Sequence, residues 1–169
     1  MSRAGYACLI ALLLAGCETV GPHAPSVAPP PPPPPAPMEL GSITGFGAFH
    51  TASGAHASCA GQSVALMVET PSSRARMVAL YGASNHAMEP ISVVKSRSAK
   101  LGPANDNSLV NSTQCATDGR FDFSGLRAGG YFLIARVRLE PPHNGQDEYV
   151  VMYEVQLRVG ETQQVRLTP

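Results

Sequence analysis

The tightest constraint on this chain is the alternation in "EYVVMYEVQLRV", residues 148–159. Tyr149, Val151, Tyr153, Val155, Leu157 and Val159 fall on one side, and Met152, Glu154, Gln156 and Arg158 on the other. A period of two marks a strand with one face buried, and a helix cannot gather those residues on one stripe. The pattern recurs. "QSVALMV" sets Val64, Leu66 and Val68 on one face, and "GRFDFS" sets Phe121 and Phe123 against Asp122. "YFLIARVRL" sends Tyr131, Leu133, Ala135 and Val137 one way. Phe132, Ile134, Arg136 and Arg138 go the other, a face that turns from apolar to charged along the strand. After Gly160 the alternation resumes with Val165 and Leu167. Asp118-Gly119 is a hairpin signal, and Gly125 with Gly129-Gly130 frames the loop into the Tyr131 strand. Short strands with turn chemistry between them, seven or so, predict an all-β chain folded as a Greek-key β-sandwich. "SITGF", "PISVVKS" and "SLVNSTQ" are expected strands with a weaker pattern.

"TPSSRARMVALYGAS" breaks the alternation. Thr70 suits an N-cap, Pro71 the first helical position and Gly82 the stop, so one helix is predicted over Pro71–Tyr81. It is expected to lie over a sheet edge, inserted between strands, with residues 83–108 completing the excursion as part strand and part loop. A sandwich has no need of residues 71–108. A partner is therefore expected there, engaging Arg74, Arg76 and Tyr81.

The chain opens "MSRAGYACLIALLLAGCETV": Arg3, an apolar stretch from Ala7 to Ala15, then small residues. That is a secretory leader, too short to span a bilayer as a stable helix. Leu14-Ala15-Gly16-Cys17 resembles the lipobox of bacterial lipoproteins. The resemblance implies a signal peptide over 1–16, removed before Cys17, and membrane lipid attached to Cys17. Each buried acyl methylene contributes about 0.8 kcal/mol, so several chains hold firmly. Glu18 stands where an aspartate would signal inner-membrane retention, which implies the periplasmic face of the outer membrane. In the linker, residues 17–38, prolines crowd between Pro22 and Pro37. This predicts a polyproline II spacer reaching about 50 Å at roughly 3.1 Å per residue.

With Cys8 lost in the leader and Cys17 lipidated, Cys59 and Cys115 remain in an oxidising compartment, where a disulfide is expected. The alternatives are two free thiols or a metal pair, and no neighbouring Cys-x-x-Cys or histidine spacing supports the latter.

Twelve basic and twelve acidic residues balance, so nothing supplies the one-sided field that nucleic acid requires. His50, His56, His86 and His143 match no zinc spacing. Ser72, Ser73 and Ser124 lack a nucleophile's context. No catalytic residue, metal or cofactor is expected. There is no tryptophan, and the tyrosines fall mostly on core faces, so no aromatic platform for a glycan is prompted.

Residues 39–169 carry a further resemblance. Gly41-Ser42-Ile43-Thr44 leads, a strand like Ser63-Val64-Ala65-Leu66 follows, and Thr117-Asp118-Gly119-Arg120-Phe121 runs on to Gly130-Tyr131-Phe132-Leu133. Together these resemble the carboxypeptidase regulatory-like family of transthyretin-type β-sandwiches; the segment 71–108 departs from its compact pattern. The signature residues have structural reasons: Gly119 permits a positive φ, Phe121 and Tyr131 fill the space between sheets, and the Tyr131 hydroxyl bonds backbone near a corner. Related sandwiches include enzymes whose marks are missing. The hydroxyisourate hydrolases end Tyr-Arg-Gly-Ser where this chain reads Arg166-Leu167-Thr168-Pro169, and the His-x-His of intradiol dioxygenases does not occur. Isopeptide crosslinks use a first-strand lysine, whereas Lys95 and Lys100 lie in the insertion. The expectation is a non-catalytic lipoprotein with an envelope protein partner. The alternative is a hydrolase or metal-dependent enzyme using loop histidines, His50 and His56 foremost.

Overall fold

Alternation over so many segments resolves into two sheets packed face to face. The structure, a computed structural model, describes residues 39–103, 108–143 and 146–169. The leader, Cys17 and the linker to residue 38 lie outside the described residues. The smaller sheet holds β10 (Thr162–Arg166), β1 (Gly41–Phe46) and β7 (Arg120–Leu126) in that order, with β1 parallel to β10 and antiparallel to β7. The larger sheet is built around β8 (Gly129–His143). On one side of β8 lie β9 (Gln146–Leu157) and then β5 (His86–Pro90); on the other lie β4 (Ser63–Val68) and then β6 (Leu109–Gln114). Past the end of β4, the same side of β8 is taken by β3 (His56–Ser58), which pairs with β2 (Ala48–His50). Seven of these strands fall on expected segments; β2, β3 and β5 are short additions. The chain changes sheet at Gly47 and again on entering β7, β8 and β10, as a Greek-key sandwich requires.

Between the sheets lie Ile43, Val64, Leu66, Phe123, Leu133, Val137, Val151 and Leu167, all sealed from solvent. Each contributes on the order of 1.5–3 kcal/mol by leaving water. Tyr131 closes the far end and donates from its hydroxyl to the Arg127 carbonyl at 2.7 Å, the corner bond expected of it. The Asp118-Gly119 turn also forms, with Gly119 at φ 83°. Gly47 is the point where the first strand crosses between sheets. A Cβ there would lie 2.5 Å from the Cys59 Sγ, so only glycine lets the backbone pass. That sulfur belongs to the Cys59–Cys115 disulfide, which ties the turn before β4 to the segment between β6 and β7. Val159 departs from its alternation: β9 ends at Leu157, and Val159 is 64% exposed.

The outer face of the larger sheet is covered. The first helix, α1, spans Pro71–Tyr81 as expected: Thr70 Oγ1 accepts from the Ser73 N–H at 3.0 Å, Ser73 Oγ accepts from the Thr70 N–H at 2.8 Å, and Gly82 closes the far end. A second helix, α2 (Ile91–Leu101), forms where "PISVVKS" had suggested a strand. Its preceding strand β5 takes only Pro90 from that stretch. The layer buries Met77, Leu80 and Tyr81 against Phe132, Val150 and Met152, with Ile91, Val94 and Ile134 alongside. Two expectations are thereby corrected. The helix lies on the sheet's face, not over its edge. The sandwich also does need residues 71–108, because they supply a paired strand and the only cover among the described residues for an apolar sheet face.

Candidate functional site

The residues expected to meet a partner are placed by this helical layer. Tyr81 is buried, and burial pushes its hydroxyl pKa up to about 12. Arg74 lies over the Phe132 ring at 5.6 Å, with Nη2 on Glu154 Oε1 at 2.7 Å and Nε on Glu69 Oε1 at 3.1 Å. The two carboxylates hold the guanidinium even more firmly charged than usual, and Arg74 with Gln156 holds Glu69 below its ordinary range. Arg76 donates to the Gly102 carbonyl at 2.9 Å, at the end of α2. Arg97 makes the reciprocal contact, donating from Nη1 to the Leu80 carbonyl at 2.6 Å near the end of α1. The structure thus uses Arg74, Arg76 and Tyr81 to fasten the layer and does not gather them into one open patch. Val78 and Leu101 are the exposed large apolar residues of the two helices, each 46% accessible.

His50, His56 and His86 do not converge. His50 and His56 face each other across β2 and β3, with ring centroids 5.4 Å apart. His86 stands at the other side of the larger sheet, its Nε2 3.0 Å from the Thr168 carbonyl oxygen and its ring against Tyr153. His143 ends β8. Among the described residues no three histidine, cysteine or carboxylate side chains come together as a metal site.

A different surface is open and shaped. Each strand of the smaller sheet turns alternate residues outward, and register aligns those residues into rows. One row reads Arg166, Phe46, Arg120; the next reads Gln164, Thr44, Asp122. Beyond them Ser42 and Thr162 share a hydrogen bond at 2.9 Å. Gln114 and Ala116 wall the β7 side, and with the two rows they line a depression of about 790 Å³, within the range of small-ligand sites. Between Arg166 and Arg120 Phe46 is half-buried, with the Arg166 guanidinium 5.7 Å from its ring centroid. The arrangement supplies one aromatic surface ringed by hydroxyl, amide, carboxylate and guanidinium groups. It holds no paired acid and base and no activated nucleophile. Sequence reading missed it because its residues come from three strands far apart in the chain. The only early signal was the alternation itself, which placed Asp122 opposite Phe121 and Phe123.

No protein-family profile matches the chain, and no curated protein matches it. Among solved structures, the chain is similar to a Pseudomonas aeruginosa protein described as a proposed carbohydrate binding protein. The TM-score is 0.57 and the identity 21%, over 78% of this chain and 90% of that one. Likeness at that identity concerns the fold: both are β-rich domains of the same general architecture.

Proposed function

We propose that this chain is a non-catalytic binding module of the bacterial cell envelope, and that the outer face of its smaller sheet holds a saccharide. The reading rests on one observation: a ligand-sized depression lined by Phe46 on the middle strand, with Thr44, Asp122 and Gln164 in the next row. Pyranoses offer an apolar ring face to an aromatic side chain and hydroxyls to polar neighbours, which is what this face provides. The description of the Pseudomonas structure supports the same ligand class. The lipobox at Cys17 and the proline-rich linker support a lipid-anchored lipoprotein on the periplasmic face of the outer membrane. The Asp118-Gly119 and Gly130-Tyr131 signature supports a place among carboxypeptidase regulatory-like sandwiches. Isothermal titration of the full mature chain in detergent against a panel of oligosaccharides tests the reading. Phe46→Ala is expected to weaken binding by about tenfold or more, with melting unchanged. A panel with no binder rejects the saccharide, and Cys17→Ala protein that still fractionates with membranes rejects the anchor.

A second reading keeps an envelope protein partner on the helical layer, because Val78 and Leu101 are exposed there. Crosslinking in intact cells that is indifferent to Val78→Asp would remove it.

A further inference from the structure

The outer face of the smaller sheet is electrically lopsided. In the Arg166–Phe46–Arg120 row, Arg120 is answered by Asp118, with Nε 3.4 Å from Oδ2. Asp118 Oδ1 also accepts from the Arg120 N–H at 3.0 Å, so this carboxylate belongs to the turn. Arg166 has no carboxylate partner among the described residues, and its guanidinium is engaged only with the Phe46 ring. Asp122 stands in the next row on the opposite edge strand, across two strand spacings or roughly 10 Å of sheet. The β10 side of the depression therefore ends in Arg166, which only donates, while the β7 side offers Asp122, which only accepts, beside an Arg120 already paired with Asp118. Phe46 and Thr44 lie between them.

A saccharide seated on Phe46 meets different demands at its two ends. Toward Asp122 it must present hydroxyls, which donate to the carboxylate. Toward Arg166 it must present acceptors. A neutral sugar satisfies the guanidinium with hydroxyl oxygens, whereas a carboxylate or phosphate meets its planar fork of N–H groups with two charge-assisted bonds. Those bonds are about twice as strong as neutral ones. Arg166 and Asp122 both lack an ion-pair partner among the described residues, and they stand on opposite edge strands, so an acid group is the better match at the Arg166 end and hydroxyls at the Asp122 end. From this we infer that the site selects an acidic saccharide, its carboxylate or phosphate on Arg166 and its hydroxyls on Asp122. The inference rests on the proposed saccharide-binding role of this face and adds the ligand's charge and orientation.

Titration of the full mature chain in detergent separates the two. The probes are an oligogalacturonate, the same oligomer with its carboxyls reduced to alcohols, a hexose 6-phosphate and inorganic phosphate. The expected result is that the oligogalacturonate or the sugar phosphate binds about tenfold more tightly than the neutral oligomer at low salt. That gap should close as salt rises and should vanish in Arg166→Gln, while Asp122→Asn weakens acidic and neutral sugars alike. Which acid wins identifies the group that Arg166 holds. Equal affinity for acidic and neutral oligomers overturns the inference and leaves saccharide binding standing, whereas no affinity for any sugar overturns both. An acid preference that survives Arg166→Gln, or inorganic phosphate binding as tightly as the sugar acids, also overturns it.

Discussion

Arg74 joins three parts of the chain: Glu69 at the end of β4, Glu154 in β9 and the ring of Phe132 in β8. The group is partly open to solvent, so its ion pairs are screened and their contribution is modest; the packing of the stem over Phe132 adds to it. Arg74→Ala is expected to lower the melting temperature while leaving saccharide affinity unchanged, as titration of both proteins would show. The pH dependence follows from Glu69. Its folded pKa lies below the ordinary 4.5 because Arg74 and Gln156 favour the charged form. Its contribution is therefore complete above pH 4.5 and is lost as acidity carries the pH down through the folded value. Denaturant midpoints measured from pH 6 downward should fall less steeply for Glu69→Gln than for the natural chain. Parallel curves would mean that Glu69 contributes nothing.

The helical layer behaves as part of the fold. Met77 is 1% exposed at the centre of its contact with the sheet. Met77→Ala is expected to cost about 2–5 kcal/mol in chemical denaturation, the usual range for truncating a sealed core side chain. Much of this layer was legible. Thr70, Pro71 and Gly82 marked α1 at both ends, since caps are local chemistry and survive any tertiary setting. Phe132 and Ile134 also carried a signal, because an apolar half-face on a strand's outer side requires a cover. The second helix was illegible because Ile91, Val93 and Val94 have β-branched side chains that favour strands, and Pro90 just before them gives no capping hydrogen bond. Packing against α1 and the sheet overrides that preference, with Arg76 and Arg97 each holding the other helix's end.

At the scale of the whole domain, the paired cysteines close a loop with 56 residues of sequence separation. Replacing both with alanine should cost about 4 kcal/mol on the chain-entropy estimate, read from urea unfolding with and without reductant. A natural chain indifferent to reductant would refute that. The sandwich was legible because its core faces repeat every second residue, and Leu133, Val151 and Leu66 are buried where alternation put them. The candidate site was not, because Phe46, Asp122 and Arg166 become neighbours only through register between β1, β7 and β10. Periodicity shows which residues turn outward but not which strands lie side by side. The pairing of β1 with β10 has a mechanical consequence. Because the two strands are parallel, a tension applied where the chain enters at Gly41 and resisted at Arg166 pulls them along each other. The bonds from Ser42–Thr162 to Phe46–Arg166 then share the load in shear and do not unzip in turn. Were the proposed tether to pull at Gly41 and the proposed ligand at Arg166, the load would run along this shear direction.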